Sequence, residues 1–417
     1  MKEDKLTGFI LGHENDDTAK LLLGRSRWPD IDMDLAVSTI EGRRRIKKKV
    51  PQWHEIPSMI YPTRLCTEQC SSAVTARYKA MLLYRLMEGR PGFRLADLTG
   101  GLGIDDWAFS AKAGSILYNE MDALLSQAAE HNFRELGIDN ITVSNHEVSP
   151  ATIDEVLGSF SPDVIFLDPA RRDGAGRKVF LLEDCSPDIL NLKQKLFDAA
   201  PLLMVKLSPM ADISMAVERL NAAAPGNDVK EVHVVATDGE CKELLLVAER
   251  GYSGPYTLCV AEPDRTEDTI SVAEDAEKVS VPEFLQSTEE LGGLKGSVLF
   301  EPGKALAKAG LFNHVSKAWG VRKLGRFTHL YVAPAGWSSP FGKSFTIEEV
   351  LPFSSTEIKS LSKRIPAASV TARNLPISSD DLRKKLKLKE SSAIHIFACR
   401  IDTASGSGNY ILVTGVR

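Results

Sequence analysis

A glycine-rich stretch that follows an apolar stretch combines residue types suited to binding a nucleotide-like ligand. It reads Asp97-Leu98-Thr99-Gly100-Gly101-Leu102-Gly103, and its glycines let the backbone turn sharply and approach a ligand that a Cβ atom would push away. A helix predicted to begin near Asp105 would present its free N–H groups to a carboxylate. We therefore expect the ligand to contact Asp97, Thr99, Gly100, Gly101 and Gly103.

The spacing of these glycines argues against a dinucleotide. Counting the G-x-G-x-x-G pattern from Gly101 and Gly103 places Asp106 where the third glycine would stand. Glu120 lies 23 residues after Asp97, close to the spacing of about 20 at which an acidic residue accepts hydrogen bonds from ribose hydroxyls. The pattern favours a single nucleoside-containing ligand over a dinucleotide.

Two further groups of polar residues follow later predicted strands. Glu147 is expected to accept a hydrogen bond from an adenine amino group, although Asn145 and His146 are polar alternatives in the same loop. The second group is Asp168-Pro169-Ala170-Arg171-Arg172, which leaves a predicted strand at the edge where open α/β sheets bind ligands. Arg171 and Arg172 offer planar guanidinium groups for phosphate or carboxylate, and Lys206 after the next strand is a candidate phosphate contact.

Short apolar runs that alternate with helical periodicity place these residues on a parallel sheet covered on both faces. The predicted strands are Phe93–Asp97, Ser115–Asn119, Ile141–Ser144, Val164–Leu167 and Leu202–Lys206. The predicted helices between them include Ala123–Leu136, Ile189–Ala199 and Ile213–Ala223. A hairpin of Glu231–Thr237 and Lys242–Ala248 across Asp238-Gly239 then closes the sheet. The predicted fold class is α/β with a Rossmann-like core, a helical amino-terminal region and small α+β carboxyl-terminal domains.

Composition and periodicity divide the chain into five predicted segments. They are a helical region (1–90), the α/β domain (91–260), an acidic linker (261–290), a first α+β domain (291–351) and a second (352–417). The linker is predicted because it holds ten acidic and two basic residues with little periodicity. The chain has no long apolar run and only six scattered cysteines, so we expect a cytoplasmic protein that does not interact with a membrane.

Three other chemistries are disfavoured by spacing. Cys66 and Cys70 begin a C-x3-C-x2-C cluster pattern, but Ala73 stands at the third position. Five residues separate Gly336 from Gly342 where a phosphate-binding loop has four. The histidines lack metal-ligand spacing to one another, so no metal is expected.

The glycine loop, the Asp168 motif and the closing hairpin together resemble the bacterial class I S-adenosylmethionine-dependent methyltransferases that carry a ferredoxin-like and then a THUMP-like domain at the carboxyl end. Matching stretches outside the core include Glu68-Gln69-Cys70-Ser71-Ser72, Ala309-Gly310-Leu311-Phe312-Asn313 and Thr371-Ala372-Arg373-Asn374. The resemblance implies S-adenosylmethionine as cofactor, with Gln69, Ser71 and Ser72 near it, and implies that residues 291–351 and 352–417 are those two domains. Asp168, at the end of the fourth predicted strand, is placed to hold either the cofactor or the methyl acceptor. Asp168, Pro169 and Arg171 would then arrange the methyl acceptor, since much of methyl transfer is alignment.

The resemblance also implies structured RNA as substrate, because THUMP domains of relatives bind it. Residues 1–90 carry 16 basic against 12 acidic residues, and residues 355–417 carry 11 against 5, within a chain of net charge −5. Candidate phosphate contacts are Arg43, Arg44, Lys47, Lys384 and Lys385.

Two other functions remain open at this point: a non-catalytic RNA-binding protein that retains the methyltransferase fold, and methylation of a protein or small molecule. No aromatic residue follows Asp168-Pro169-Ala170 to stack on a flipped base, and neither Cys185 nor Cys241 sits in a nucleophile motif. The acceptor atom, the RNA species and the oligomeric state do not follow from the sequence.

Overall fold

The alternation of strands and helices predicted from the sequence is present in the structure, a computed structural model that describes residues 2–171 and 182–416. The chain divides into two compact units. Unit 1 comprises Met1–Val235 and Lys242–Tyr256, and unit 2 comprises Ala236–Cys241 and Thr257–Arg417.

Unit 1 begins with helices: α1 Lys2–Gly12, α2 Thr18–Leu23, α3 Met33–Lys49, α4 Pro51–His54, α5 Arg64–Gln69 and α6 Ala73–Leu86. Local capping explains where two of them start. The side chain of Asp32 accepts a hydrogen bond from Leu35 N at 3.0 Å before α3, and Ser72 and Thr75 form a capping box at the start of α6. The predicted helical amino-terminal region is therefore observed. The prolines Pro51, Pro57 and Pro62 predict an extended or turning stretch, but its first residues, Pro51–His54, form α4.

The sheet of unit 1 has the predicted strands in a mostly parallel arrangement. Its strands are β1 Arg94–Asp97, β2 Ser115–Asn119, β3 Ile141–Ser144, β4 Val164–Leu167, β7 Leu202–Leu207, β8 Val229–Thr237 and β9 Glu240–Glu249, while β5 Ala170–Arg171 and β6 Cys185–Ser186 form a separate short pair. The strand order is β8-β9-β7-β4-β1-β2-β3, and β9 runs antiparallel to β7. The connecting helices are α7 Ile104–Ser110, α8 Ala123–Glu135, α9 Ile153–Leu157, α10 Ile189–Ala199 and α11 Ile213–Ala222.

Strand register brings the carboxyl ends of four strands to one edge. Asp97 at the end of β1 is the partner of Tyr118 in β2 and of Phe166 in β4. Asn119 at the end of β2 pairs with Ser144 in β3. The loops after β1, β2, β3 and β4 therefore emerge side by side, as expected for ligand-binding loops of a parallel sheet.

Unit 2 contains a hairpin of β10 Thr257–Ala261 and β11 Thr269–Ala273 and a larger sheet. The larger sheet has the order β13-β14-β12-β15-β18-β17-β16. Its strands are β12 Val298–Pro302, β13 Arg322–Lys323, β14 Tyr331–Ala333, β15 Gly342–Pro352, β16 Ser369–Arg373, β17 Ile394–Thr403 and β18 Gly406–Val416. The α-helices are α12 Ala276–Val279, α13 Lys304–Ala309, α14 Phe312–Trp319, α15 Ser355–Arg364 and α16 Ser379–Leu386.

Three expectations for this half of the chain need correction. The acidic segment 261–290 contains β11, whose alternate residues are partly buried beside β10, so it is not merely a linker. Helical periodicity predicts a single helix over Lys304–Trp319, but the structure has two helices there, because Gly310 adopts a φ of +72° that ends α13. The boundary expected at residues 351 and 352 falls within β15, which pairs with both β12 and β18 and joins the two α+β segments in one sheet.

None of the described helices is long and apolar enough to cross a membrane.

A buried lysine in unit 1 gives a test of the packing between α10 and the segment after α11. Lys193 Nζ lies 2.8 Å from Asp228 Oδ2 and donates to the carbonyl oxygens of Leu220 and Ala223. Lys193→Met should lower the free energy of unfolding by roughly 3–5 kcal/mol, because it leaves the Asp228 carboxylate buried without its cation. Urea unfolding followed by circular dichroism measures the change.

Lys195 on the same helix is the matched control, since its side chain is partly exposed and pairs with exposed Asp154. Lys195→Met should cost no more than about 1 kcal/mol. Equal losses for the two variants would contradict the role assigned to Lys193.

Candidate active site

A cavity of about 660 Å³ opens at the carboxyl edge of the unit 1 sheet, where the predicted ligand loops meet. Its volume lies in the range of small-molecule and cofactor sites. The residues singled out from the sequence that line it are Gln69, Asp97, Thr99, Gly100, Gly101, Gly103, Glu120, Glu147 and Asp168. The structure therefore brings the whole set of predicted cofactor contacts to one cavity.

The glycines of the loop after β1 are needed for different steric reasons. A Cβ atom on Gly100 would lie 2.1 Å from the ring of Tyr118, so only glycine allows this close approach. Gly101 and Gly103 have φ values of +56° and +81°, in the left-handed region that favours glycine. Gly103 is also the residue before α7, whose first residues, Ile104 and Asp105, line the cavity.

Glu120 is fixed by backbone donors on both sides. Its Oε2 accepts from Gly101 N at 3.0 Å, and its Oε1 accepts from Asp122 N at 2.8 Å. In the next loop, Asn145 donates to the carbonyl oxygens of Glu120 and Met121, so its amide has a structural role. Glu147 and His146 are exposed and line the cavity, which leaves both as candidates for the adenine contact.

The Asp168 motif is tied to the glycine loop through Thr99. Asp168 N donates to Thr99 Oγ1 at 2.6 Å, and Thr99 Oγ1 lies 3.4 Å from Asp97 Oδ1. The carboxylate of Asp168 forms an ion pair with Lys206, through Oδ2. Among the described residues no hydrogen bond to its other oxygen, Oδ1, is found, and Asp168 itself lines the cavity.

Comparisons with known proteins agree with this geometry. One similar structure is the crystal structure of a Porphyromonas gingivalis W83 protein assigned as a methyltransferase. It superposes with a TM-score of 0.84 at 30% sequence identity, and the match covers 99% of this chain and 97% of that chain. Two uncharacterized S-adenosylmethionine-dependent methyltransferases of Mycobacterium tuberculosis are 24% identical over 349 residues, or 81% of this chain and 84% of theirs. Residues 299–336 match a ferredoxin-like domain and residues 342–415 match a family described as THUMP domain-like.

The chain belongs to the class I S-adenosylmethionine-dependent methyltransferases, in the group with ferredoxin-like and THUMP-like carboxyl-terminal domains. The cofactor is S-adenosylmethionine. The lining of the cavity fits this cofactor, since a Cβ atom at Gly101 would meet nothing nearer than Thr99 O at 3.9 Å and the carboxylate of Glu120, an acceptor for hydroxyl groups, borders the same space. The cofactor is a cation at its sulfonium and its amino group, and Asp97 is a buried carboxyl that lines the cavity.

The methyltransferase holds a buried charge network beside this cavity that sequence analysis did not find. Lys79 Nζ, fully buried on α6, lies 2.7 Å from Glu243 Oε1, 3.3 Å from Asp105 Oδ1 and 3.2 Å from Ser71 Oγ. Ser71 in turn donates to Asp105 Oδ2 at 2.8 Å. The available signal in the sequence was an acidic residue within the predicted strand Lys242–Ala248, where Glu243 directly precedes Leu244 and Leu245. In the structure its side chain is buried.

Lys206 belongs to the same network and does not line the cavity. Burial opposes its charged form, but Asp168, Asp105 and Glu243 together raise the pKa of the Lys206 ammonium above its usual range. The phosphate contact expected from the sequence is therefore replaced by a positioning role, in which Lys206 stays charged and holds Asp168.

Of the expected RNA contacts on α3, two have structural partners within unit 1. The Arg43 guanidinium is buried, lies 3.3 Å from Glu14 Oε1 and donates to the carbonyl oxygens of His54 and Ile56. Arg44 donates to the carbonyl oxygens of Glu14 and Asp16. The structure therefore gives Arg43 and Arg44 a role in holding the amino-terminal helices.

The remaining expected contacts are placed differently. Lys47, Lys384 and Lys385 are exposed, and within the described part of the chain only Lys384 has an acidic neighbour, Asp381 Oδ1 at 3.9 Å. Pro169 is buried behind the cavity edge. Arg172 and the side chain of Arg171 lie outside the described residues.

Cofactor affinity should depend on pH through Asp97. Burial raises the pKa of Asp97 to about 8, against the opposing hydrogen bond from Thr99 N. A cationic cofactor favours the ionised carboxylate, so binding below that pH must release a proton. Affinity should therefore rise about tenfold per pH unit from pH 6 towards pH 8 and then level off. Calorimetric titration in buffers of different ionisation enthalpy measures both the affinity and the released protons.

The matched control is Asp97→Asn, which should bind more weakly and without this pH dependence. An affinity of the wild type that stays flat from pH 6 to pH 8 would contradict the prediction.

Proposed function

We propose that this methyltransferase modifies a nucleotide of structured RNA, with Asp168 as the residue that orients the acceptor. The observation that carries the RNA substrate is the THUMP-like match over residues 342–415 together with exposed lysines on that segment. Lys384 and Lys385 on α16, and Lys387 and Lys389 after it, present their charges to solvent. Exposed lysines of this kind bind phosphates without sequence preference.

The acceptor side of the proposal rests on the geometry of Asp168. When bound, S-adenosylmethionine supplies an electrophilic methyl group on its sulfonium. Thr99 fixes the backbone of Asp168, and Lys206 fixes one oxygen of its carboxylate. The other oxygen, Oδ1, is left to accept a hydrogen bond from an N–H or O–H group of the molecule that receives the methyl group. Such fixed placement is how much of the barrier to group transfer is lowered.

The thiols of this region do not supply the nucleophile of a covalent mechanism. Burial raises the pKa of Cys70 to about 11, and burial likewise raises the pKa of Cys66. Both thiols line the cavity but stay neutral near pH 7. Cys185 and Cys241 do not line the cavity. We therefore propose direct transfer to the acceptor atom.

Labelled methyl transfer tests the proposed substrate. Excess enzyme with methyl-labelled cofactor and total cellular RNA should label material that ribonuclease destroys, in a single turnover. Asp168→Ala should reduce the transfer rate at saturating cofactor by about a hundredfold or more, because it removes the contact that orients the methyl acceptor. The exposed Asp154→Ala is the matched control and should leave the rate unchanged.

Label found in protein or small molecules, with none in RNA, would overturn the proposed substrate. Equal rates for the wild type and Asp168→Ala would overturn the role of Asp168.

Salt dependence tests the lysines of the THUMP-like segment. Replacing Lys384 and Lys385 by Ala should weaken binding to structured RNA and reduce the slope of log Kd against log salt concentration by roughly one and a half to two, as two phosphate contacts are lost. Filter binding from about 50 to 200 mM salt measures the slope.

Lys278→Ala with Lys317→Ala removes two exposed charges elsewhere in unit 2 and is the control. If the variant that lacks Lys384 and Lys385 showed the same slope as the wild type, the assignment of these two lysines as phosphate contacts would be contradicted.

A further inference from the structure

Asp106, which stands where a dinucleotide loop has its third glycine, is a buried carboxyl next to Asp105, a residue that lines the cofactor cavity. Its side chain is completely buried on α7. Apart from its own backbone N–H, no N–H or ammonium group of the described residues reaches either of its carboxyl oxygens. An isolated ionised carboxylate in such a place is strongly disfavoured.

The Asp106 carboxyl lies against the Asp97 carboxyl, close enough for each group to act on the pKa of the other. Two carboxylates repel, so this contact requires a proton between them. Asp97 is the better acceptor of the two, because it also accepts from Thr99 N at 2.8 Å. The proton therefore belongs on Asp106, which then donates to Asp97.

The charged groups around the pair do not supply a substitute for that proton. Lys79 on α6 is held by Glu243 on β9, by Asp105 and by Ser71, and Lys206 on β7 is held by Asp168.

The other titratable neighbours of the pair add no positive charge. Asp105 on α7 and Asp168 after β4 both act to raise the pKa of Asp97. Tyr118 on β2 is buried, and its hydroxyl donates to Gly101 O. The pair thus faces acidic or neutral groups and lysines that are already engaged.

We propose that Asp106 is a positioning residue that keeps its proton throughout the cofactor cycle and, as a neutral hydrogen-bond donor, holds the Asp97 carboxylate in place for the cationic cofactor. Asp97 lines the cavity and Asp106 does not, so Asp106 acts through Asp97. Burial, reinforced by the charges of Asp97 and Asp105, raises the pKa of Asp106 well above its usual range. The inference concerns the cofactor site and is independent of the proposed RNA substrate.

Two substitutions separate a neutral donor from a structural filler. Asp106→Asn keeps a neutral donor of nearly the same shape, so its Kd for S-adenosylmethionine should stay within about threefold of the wild type. Asp106→Leu has no donor and should weaken binding by about tenfold or more. Phe109→Leu, a substitution of a buried side chain on the same helix, is the control for general destabilisation and should leave Kd unchanged. Calorimetric titration with S-adenosylmethionine measures all four proteins.

Equal Kd values for Asp106→Asn and Asp106→Leu would overturn the proposal. It would also be overturned if Asp106→Asn bound S-adenosylmethionine about tenfold more weakly than the wild type.

Thermal stability supplies a second test that does not require Asp106→Leu to fold. In the unfolded chain Asp106 loses its proton near its ordinary pKa of about 4, whereas in the folded chain it keeps it. The wild type must therefore lose stability as pH rises from about 4 to 8, and Asp106→Asn lacks this loss. The Tm of Asp106→Asn relative to the wild type should accordingly be higher at pH 8 than at pH 4.5. A Tm difference that is the same at both pH values would show that Asp106 is ionised in the folded protein and would overturn the proposal.

Discussion

Carboxyl groups outnumber lysines in the buried layer beneath the glycine loop, and each must be neutralised for the chain to fold. Glu243 and Asp105 share Lys79, and Asp168 takes Lys206. Asp97 and Asp106 are left without a cation and are neutralised by protons. A cation that enters the cavity next to Asp97 completes this balance, which is why the layer suits a sulfonium cofactor that also carries an amino group.

The same layer links the cofactor side of the cavity to the acceptor side. Thr99 contacts Asp97 and the backbone of Asp168, so the loop after β1 and the loop after β4 hold a common geometry. Lys206, which lies on β7 and in neither loop, donates a hydrogen bond to Asp168 and so ties the loop after β4 to the neighbouring strand. Gly100 makes this possible, because a Cβ atom there would lie 2.1 Å from the ring of Tyr118 and would push the loop away from it.

Sequence analysis predicted the sheet because each strand of unit 1 is a short apolar run that ends in polar residues. It predicted the residues at the cavity edge for the same reason, since strand ends and glycine spacing are local signals. It missed Lys79 with Glu243 because they lie 164 residues apart and meet only through the packing of α6 against β9. Composition also failed to distinguish Arg43, whose guanidinium is buried on carbonyl oxygens, from exposed Lys47 four residues later. The acidic residues of segment 261–290 hid the alternation that forms β11.

The proton balance at Asp97 and Asp106 can be observed directly by infrared difference spectroscopy of the carboxyl C=O stretch. Near pH 7, below the pKa of about 8 for Asp97, adding S-adenosylmethionine to the wild type should remove the band of one protonated carboxyl. It should also shift, without removing, the band of a second one. The first change should be absent in Asp97→Asn and the second in Asp106→Asn. A difference spectrum in which no protonated carboxyl disappears, or in which Asp106→Asn retains both changes, would contradict the account of a cofactor site built on one proton that leaves and one that stays.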